Sequence, residues 1–302
     1  MKDQAASLRQ LVENKIETPQ AAASSVLAGQ SALGQETARI LAVTSGKGGV
    51  GKSNLAVNLA IAFRREGKRV IVIDADLGMA NVEVLMGRTA KYDLLDLLNP
   101  EVTLQEVLLE GPEGIQYISG GSGMEQAAEF TDQERSVLMQ KLAGCGELAD
   151  IILVDTGAGL GRNVLDFILA ADEVILVTTP EPTALTDAYA VLKAYSMYAA
   201  NPNMKLIVNR VYDPEESKEV SAKLTRTAEK FLKLEVESLG YIFEDRQVIQ
   251  AVRRQKPVVE MFPNSMAAKC IVAIAKSVLY GDKVLVKKGW RTFLQYFLDF
   301  SR

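Results

Sequence analysis

The chain has 302 residues, 48% hydrophobic and 24% charged, and its 34 lysines and arginines against 38 aspartates and glutamates give a net charge of −4. This is ordinary globular composition, long enough for one large core, and the acidic balance gives no general attraction to nucleic acid, so no direct nucleic-acid partner is expected. Histidine is absent and Cys145 and Cys270 are the only cysteines, which excludes imidazole metal sites and histidine-based triads and argues against disulfides, thiolate metal sites and iron–sulfur scaffolds.

Catalysis in such a chain must use carboxylates, lysines, backbone amides and a bound ion. The N-terminus, Met1-Lys2-Asp3-Gln4, lacks the apolar stretch of a secretory signal, and no run is long enough to cross a bilayer, so the cytoplasm is the expected compartment.

In chain order, residues 3–13 (DQAASLRQLVE) predict a short helix. An Ala/Ser/Gln/Gly-rich stretch follows from Asn14 to Glu36 and reads as a flexible tether. From Arg39 onward, short β-branched runs alternate with helical patterns: Ile40–Thr44, Arg69–Asp74, Ile115–Ser119, Ile151–Asp155, Val174–Thr179, Lys205–Asn209 and Leu239–Ile242. Strands separated by connections of helical length predict βαβ units, hence a doubly wound α/β fold with a mainly parallel sheet. Ala267–Leu279 predicts a final core helix, Gly281–Gly289 a basic connector, and Trp290–Arg302 an aromatic terminal helix. The implied organisation is an N-terminal extension over 1–38, an α/β domain over 39–280 and a C-terminal appendage over 281–302.

The first strand runs into Gly46-Lys47-Gly48-Gly49-Val50-Gly51-Lys52-Ser53, and Asn54 opens a stretch of helical periodicity. Strand, glycine-rich loop and helix in this order form a P-loop. The glycines let successive N–H groups face phosphates at a helix N-terminus, Lys52 neutralises the β/γ-phosphates and Ser53 ligates Mg²⁺. The second strand ends in Asp74-Ala75-Asp76, two carboxylates on the same side of an extended chain, followed by Gly78 and Asn81. The strand Ile151–Val154 ends in Asp155-Thr156-Gly157-Ala158-Gly159, where a Walker B carboxylate would hold a Mg²⁺-bound water and a glycine-rich turn could rearrange with the γ-phosphate.

The loop KGGVGKS and the segment DADLGMAN resemble the MinD/ParA class of deviant-Walker ATPases. That resemblance implies that Lys47 reaches across a nucleotide-sandwich homodimer to the partner's phosphates. It also implies that Asp76 positions the attacking water and that Asp74 supports Mg²⁺ and the loop. Asn209-Arg210, after an apolar strand, resembles the position at which this class reads adenine. Asn209 alone does not separate ATP from GTP, but no NKxD motif is present to read guanine, which favours ATP/ADP. Ile242-Phe243-Glu244-Asp245 stands where MinD has a proline-containing nucleotide-contact loop, so contacts there depart from the class pattern.

On a helical wheel, Trp290, Phe293, Leu294, Phe297 and Leu298 share one face of the terminal segment, preceded by Lys283, Lys287 and Lys288. A surface-lying membrane helix on anionic lipid has this composition, and so does a helix docked on its own sheet; the basic approach and terminal place favour the membrane. Asp3-Gln4-Ala5-Ala6-Ser7-Leu8-Arg9, the DTGAG at Asp155–Gly159 and the amphipathic end together resemble the FlhG (FleN) family of MinD-like ATPases. The resemblance implies stimulation of the GTPase FlhF through Asp3, Gln4, Ala5, Leu8 and Arg9, contacts with flagellar basal-body or transcription components, and a place on the inner face of the cell membrane, cell poles included. A MinD-type division-site regulator, a ParA-type partitioning ATPase and a nucleotide-binding interaction module are the alternatives.

Overall fold

The computed structural model describes residues 38–76, 81–121, 131–199, 202–281, 290, 293 and 294. The chain divides into Met1–Glu36 and Thr37–Arg302, and the described residues all belong to the second unit. The expected helix over 3–13 and the tether lie outside them.

The described elements begin with β1 (Arg39–Ser45), α1 (Lys52–Arg65), β2 (Val70–Ala75), α2 (Asn81–Met86), β3 (Leu109–Glu110), β4 (Gln116–Ile118), α3 (Asp132–Leu142) and β5 (Ile151–Ala158). They continue with α4 (Arg162–Ala170), β6 (Glu173–Thr178), α5 (Pro182–Tyr198), β7 (Met204–Val211), α6 (Pro214–Thr227), β8 (Val236–Phe243), α7 (Arg246–Arg253) and α8 (Met266–Tyr280). The strands form one sheet in the order β3-β4-β2-β5-β1-β6-β7-β8, parallel throughout except for the β3–β4 pair.

The central strands are buried on both faces, which is why they read as nearly continuous apolar runs. Along β1, Ile40 and Ala42 join the core shared with α4 and α5. Leu41 and Val43 join the core shared with α1 and α8. Helix starts follow local chemistry: Asp213 accepts from the Glu216 N–H with Pro214 next to it, and Asp245 and Ser265 cap α7 and α8 in the same way. β1 lies at the sheet's centre between β5 and β6, and the crevice beyond its C-terminal end is where an open α/β sheet binds its ligand.

The observed strands exceed the expected runs where polar site residues lie at their ends. β5 extends to Ala158, β7 to Val211, and β8 begins three residues earlier than Leu239, at Val236.

The three described residues of the terminal stripe are docked on the sheet, as in the alternative to a membrane helix. Trp290, Phe293 and Leu294 are buried in the core on the α4 side of the sheet. The Trp290 indole N–H donates to the Leu142 carbonyl at 2.6 Å. Its ring stacks on Phe293 at 4.9 Å, and Phe293 stacks on Phe167 of α4 at 6.3 Å. The physical reason is that Ile73, Leu94, Leu138, Leu142, Val154 and Phe167 form an apolar groove, which these three side chains cover, enclosing a small cavity with it. Phe297 and Leu298 lie outside the described residues.

Candidate functional site

β1 delivers the chain to Gly46 at the C-terminal edge of the sheet, and α1 begins at Lys52. Between them Gly49 and Gly51 adopt φ of 78° and 97°, a left-handed backbone that glycine adopts without steric cost. Gly46 packs directly on the backbone of Asp187 in α5, leaving no room for a Cβ. The loop is therefore clamped between helix and strand rather than free.

Lys52, nearly buried, directs its Nζ to Asp155 Oδ1 at 2.8 Å, and Ser53 Oγ lies 3.4 Å from the same nitrogen. Asp155 is wholly buried, and burial pushes its carboxyl above the usual range against the pull of Lys52. Asp74, also wholly buried, is pushed up to about 7, first by burial and then by the neighbouring Asp155 charge. Its oxygens accept three backbone N–H groups: Asp76 at 3.1 Å, Asn81 at 3.0 Å and Val82 at 3.1 Å. Asp74 thus ties the start of the segment 76–81 to its end. The Asp76 carboxylate lies over Gly157, whose added Cβ would sit 3.8 Å from Asp76 Oδ1. Gathered at one point are one lysine, one hydroxyl and three carboxylates.

Lys47 is elsewhere. Its Nζ donates to Glu181 Oε2 and Thr183 Oγ1, both at 2.8 Å, at the exposed start of α5. That pair lowers the Glu181 carboxyl, chiefly through the hydrogen bond to Lys47. Asn209 does not project freely into a base site: its Nδ2 donates to the Val50 carbonyl at 2.8 Å and its Oδ1 accepts the Arg210 N–H at 2.9 Å. Its side chain therefore locks β7 to the phosphate loop. Beside it opens a cleft of about 460 Å³, walled by Leu55, Ile242, Val248, Ile249, Val252 and Ile271, with Arg210 and Glu244 at 3.9 Å from one another on its border. Glu181, Thr183 and the α7 wall were not singled out by sequence reading. Their signal is positional only, since each follows the C-terminal end of a parallel strand.

A family model described as ParA: NUBPL iron-transfer P-loop NTPase matches residues 36–279. The antiactivator FleN of Pseudomonas aeruginosa is 38% identical over 261 residues, covering 86% of this chain and 92% of that one. The chain belongs to the MinD/ParA family of P-loop ATPases, in its FleN/FlhG branch. The flagellum site-determining protein YlxH of Helicobacter pylori is 34% identical over 279 residues, 87% of this chain and 90% of that one. The septum site-determining protein MinD of Pyrococcus horikoshii, solved with Mg-ADP, superimposes with a TM-score of 0.66 at 27% identity, over 82% of this chain and 99% of that one. This MinD-like protein is accordingly an ATPase working with ATP, ADP and Mg²⁺.

Its residues fit the ion. Asp155 Oδ2 is buried and has no hydrogen-bond partner among the described residues, and it stands with Ser53 Oγ as a hard oxygen donor; Asp74, expected beside them, has both oxygens taken by backbone N–H groups and supports the loop instead.

Proposed function

We propose that this MinD-like ATPase is a dimerising switch that regulates flagellar number and placement. The observation that carries the reading is the placement of its two loop lysines. Lys52 serves the phosphate site of its own chain, whereas Lys47 stands on the exposed face, held only by exposed groups. A positive charge so placed contributes to hydrolysis when a second copy presents its phosphates.

Within one site, Lys52 turns from Asp155 to the β/γ-phosphates, and the Gly46–Ser53 amides cradle them with Asn54 at the helix start. Asp76 orients the attacking water, while Ser53 and Asp155 would hold Mg²⁺, which would supply neutralising charge for the phosphates. Asp74 keeps the switch segment closed on itself. The purine enters the apolar cleft beside Asn209 and Arg210. Phosphoryl transfer asks little more of protein than positioning and charge, so slow turnover set by partners is consistent with this site.

Membrane association and FlhF stimulation complete the proposal. Trp290, Phe293 and Leu294 are buried in the core, and their release upon dimerisation would give two weak anchors acting together on anionic lipid. Residues 3–9, with Gln4 and Leu8 one helical turn apart, would carry the contact with FlhF. The relatives support the flagellar reading: one is named a flagellum site-determining protein. Asp76→Ala should bind ATP and remain dimeric in analytical ultracentrifugation; a monomer at saturating ATP overturns the dimer switch. A peptide of residues 1–20 should accelerate GTP hydrolysis by FlhF and lose the effect with Gln4→Ala. If neither peptide nor full chain stimulates FlhF, a MinD-type role takes precedence.

A further inference from the structure

β4 pairs with β2 through Ile73 and Ile118 and then ends in Ser119-Gly120-Gly121 at the active-site edge of the sheet. At Gly120 an added Cβ would lie 2.8 Å from the Asp74 carbonyl oxygen, 3.1 Å from that of Asp76 and 3.3 Å from Asp74 Cγ. Gly120 is not among the residues with positive φ, so glycine is needed there for closeness, not for backbone conformation. The other end of the switch segment is fastened to the same strand end. Ser119 Oγ donates to Glu83 Oε2 of α2 at 3.1 Å, and the Ser119 carbonyl accepts the Leu94 N–H at 2.8 Å. Glu83 also accepts the Ala90 N–H at 3.2 Å, tying down the chain that leaves α2.

Asp76 and Asn81, which bound the switch segment, are thus each held twice. Asp74 receives both through backbone N–H groups, and Ser119 and Gly120 press against Asp74, Asp76 and α2 from the neighbouring strand. The two shortest approaches at Gly120 fall on backbone carbonyl oxygens, which cannot turn aside as a flexible side chain can. We infer that Ser119 and Gly120 are positioning residues for ATP hydrolysis, which set where the Asp76 carboxylate stands relative to the attacking water without touching nucleotide.

The inference rests on the assignment of Asp76 to that water. A methyl group at position 120 must push the Asp74–Asp76 backbone back by roughly half an ångström or more, and misplacement of about 1 Å can cost on the order of a hundredfold in rate. Gly120→Ala should therefore lower kcat by roughly tenfold to a hundredfold.

The test uses the full chain, with kcat from steady-state phosphate release, ATP affinity from a fluorescent ATP analogue, dimerisation from ultracentrifugation and stability from thermal melting. Gly120→Ala should bind ATP and dimerise like the wild type yet turn over slowly, reproducing Asp76→Ala. Ser119→Ala and Glu83→Gln should show the same split more weakly. Wild-type kcat in Gly120→Ala beside a slow Asp76→Ala overturns the inference. So does loss of ATP affinity and melting temperature in proportion to kcat, which is the mark of a merely structural role. If Gly120→Ala does not fold, unchanged kcat in both Ser119→Ala and Glu83→Gln overturns it. Full turnover in Asp76→Ala would instead remove the assignment on which it rests.

Discussion

Gly146 gives a way to undock the terminal segment without altering it. It lies in the short helix Cys145–Leu148, against the indole of Trp290: an added Cβ would sit 2.9 Å from Cδ1, 3.0 Å from Cβ and 3.1 Å from Cγ of that residue. Trp290, Phe293 and Leu294 are 3%, 2% and 5% exposed, so their burial is worth about 5–9 kcal/mol gross, and the indole hydrogen bond adds about 1 kcal/mol. Ordering the segment offsets much of this, which leaves a docking equilibrium that a few kcal/mol can move. Overpacking by one methyl costs about 1–3 kcal/mol, or roughly 5- to 150-fold in that equilibrium. Alanine is the better helix former by up to about 1 kcal/mol, so Gly146→Ala does not threaten the fold itself. The chain has a single tryptophan, and its emission reports docking directly. Without nucleotide, the variant should show red-shifted Trp290 emission in buffer and should pellet with anionic liposomes more than the wild type. An unchanged emission maximum together with unchanged pelleting would refute the reasoning.

Glu181→Gln removes the charge that holds Lys47 on its own chain. Exposed pairs are weak, so the ATP-dependent dimer should tighten by no more than about fivefold in sedimentation equilibrium; a weaker dimer contradicts the assignment. Lys52→Ala leaves the buried Asp155 without its partner, and both ATP binding and the melting temperature of the nucleotide-free protein should fall. Retained ATP affinity would remove Lys52 from the site. Asp74 carries the pH dependence: its folded pKa of about 7 stands above the ordinary 3.8. Between those values the folded chain holds a proton that the unfolded chain has released. Stability of the nucleotide-free protein should therefore decline as pH rises from about 4 to 7, by about 4 kcal/mol at most, and level off above. Denaturant titrations across that range should show the decline in the wild type and a flatter profile in Asp74→Asn; a rising wild-type profile refutes the account.

The phosphate loop was legible in the sequence because its chemistry is local. Eight consecutive residues supply the turn, the amides, the charge and the hydroxyl, and flanking periodicity identifies strand and helix. The partner of Lys47 was not legible, since Glu181 lies 134 residues away and meets it only through the β1–β6 adjacency. Asn209 lies within β7, two residues before its end, and its amide reaches back to Val50, a contact that depends on how β7 stands against the loop. β3 has two residues, too few for any alternation to register. The terminal stripe was visible as amphipathic, yet one apolar face serves lipid and groove alike. What separates them is a complementary surface assembled from β2, α3, β5 and α4, and no single stretch of sequence records it.

The same strand serves nucleotide and tail. Successive residues of β5 point to opposite faces of the sheet, so Val154 forms part of the groove that takes Phe293 while Asp155 meets Lys52 on the α1 side. Beyond Ala158 only Gly159–Gly161 intervene before α4, whose Phe167 supports the Phe293 ring. A γ-phosphate that draws this short turn inward would pull on the start of α4. Phe293 stacks on Phe167 beside a small cavity, and a shift of α4 draws that stacking partner away from it. Such coupling is reciprocal: if ATP loosens the docked segment, the docked segment lowers the affinity for ATP by the same factor. In this reading the terminal aromatic residues are a weight on the nucleotide equilibrium, and a lipid surface that takes them up favours the ATP state even with no contact to the nucleotide.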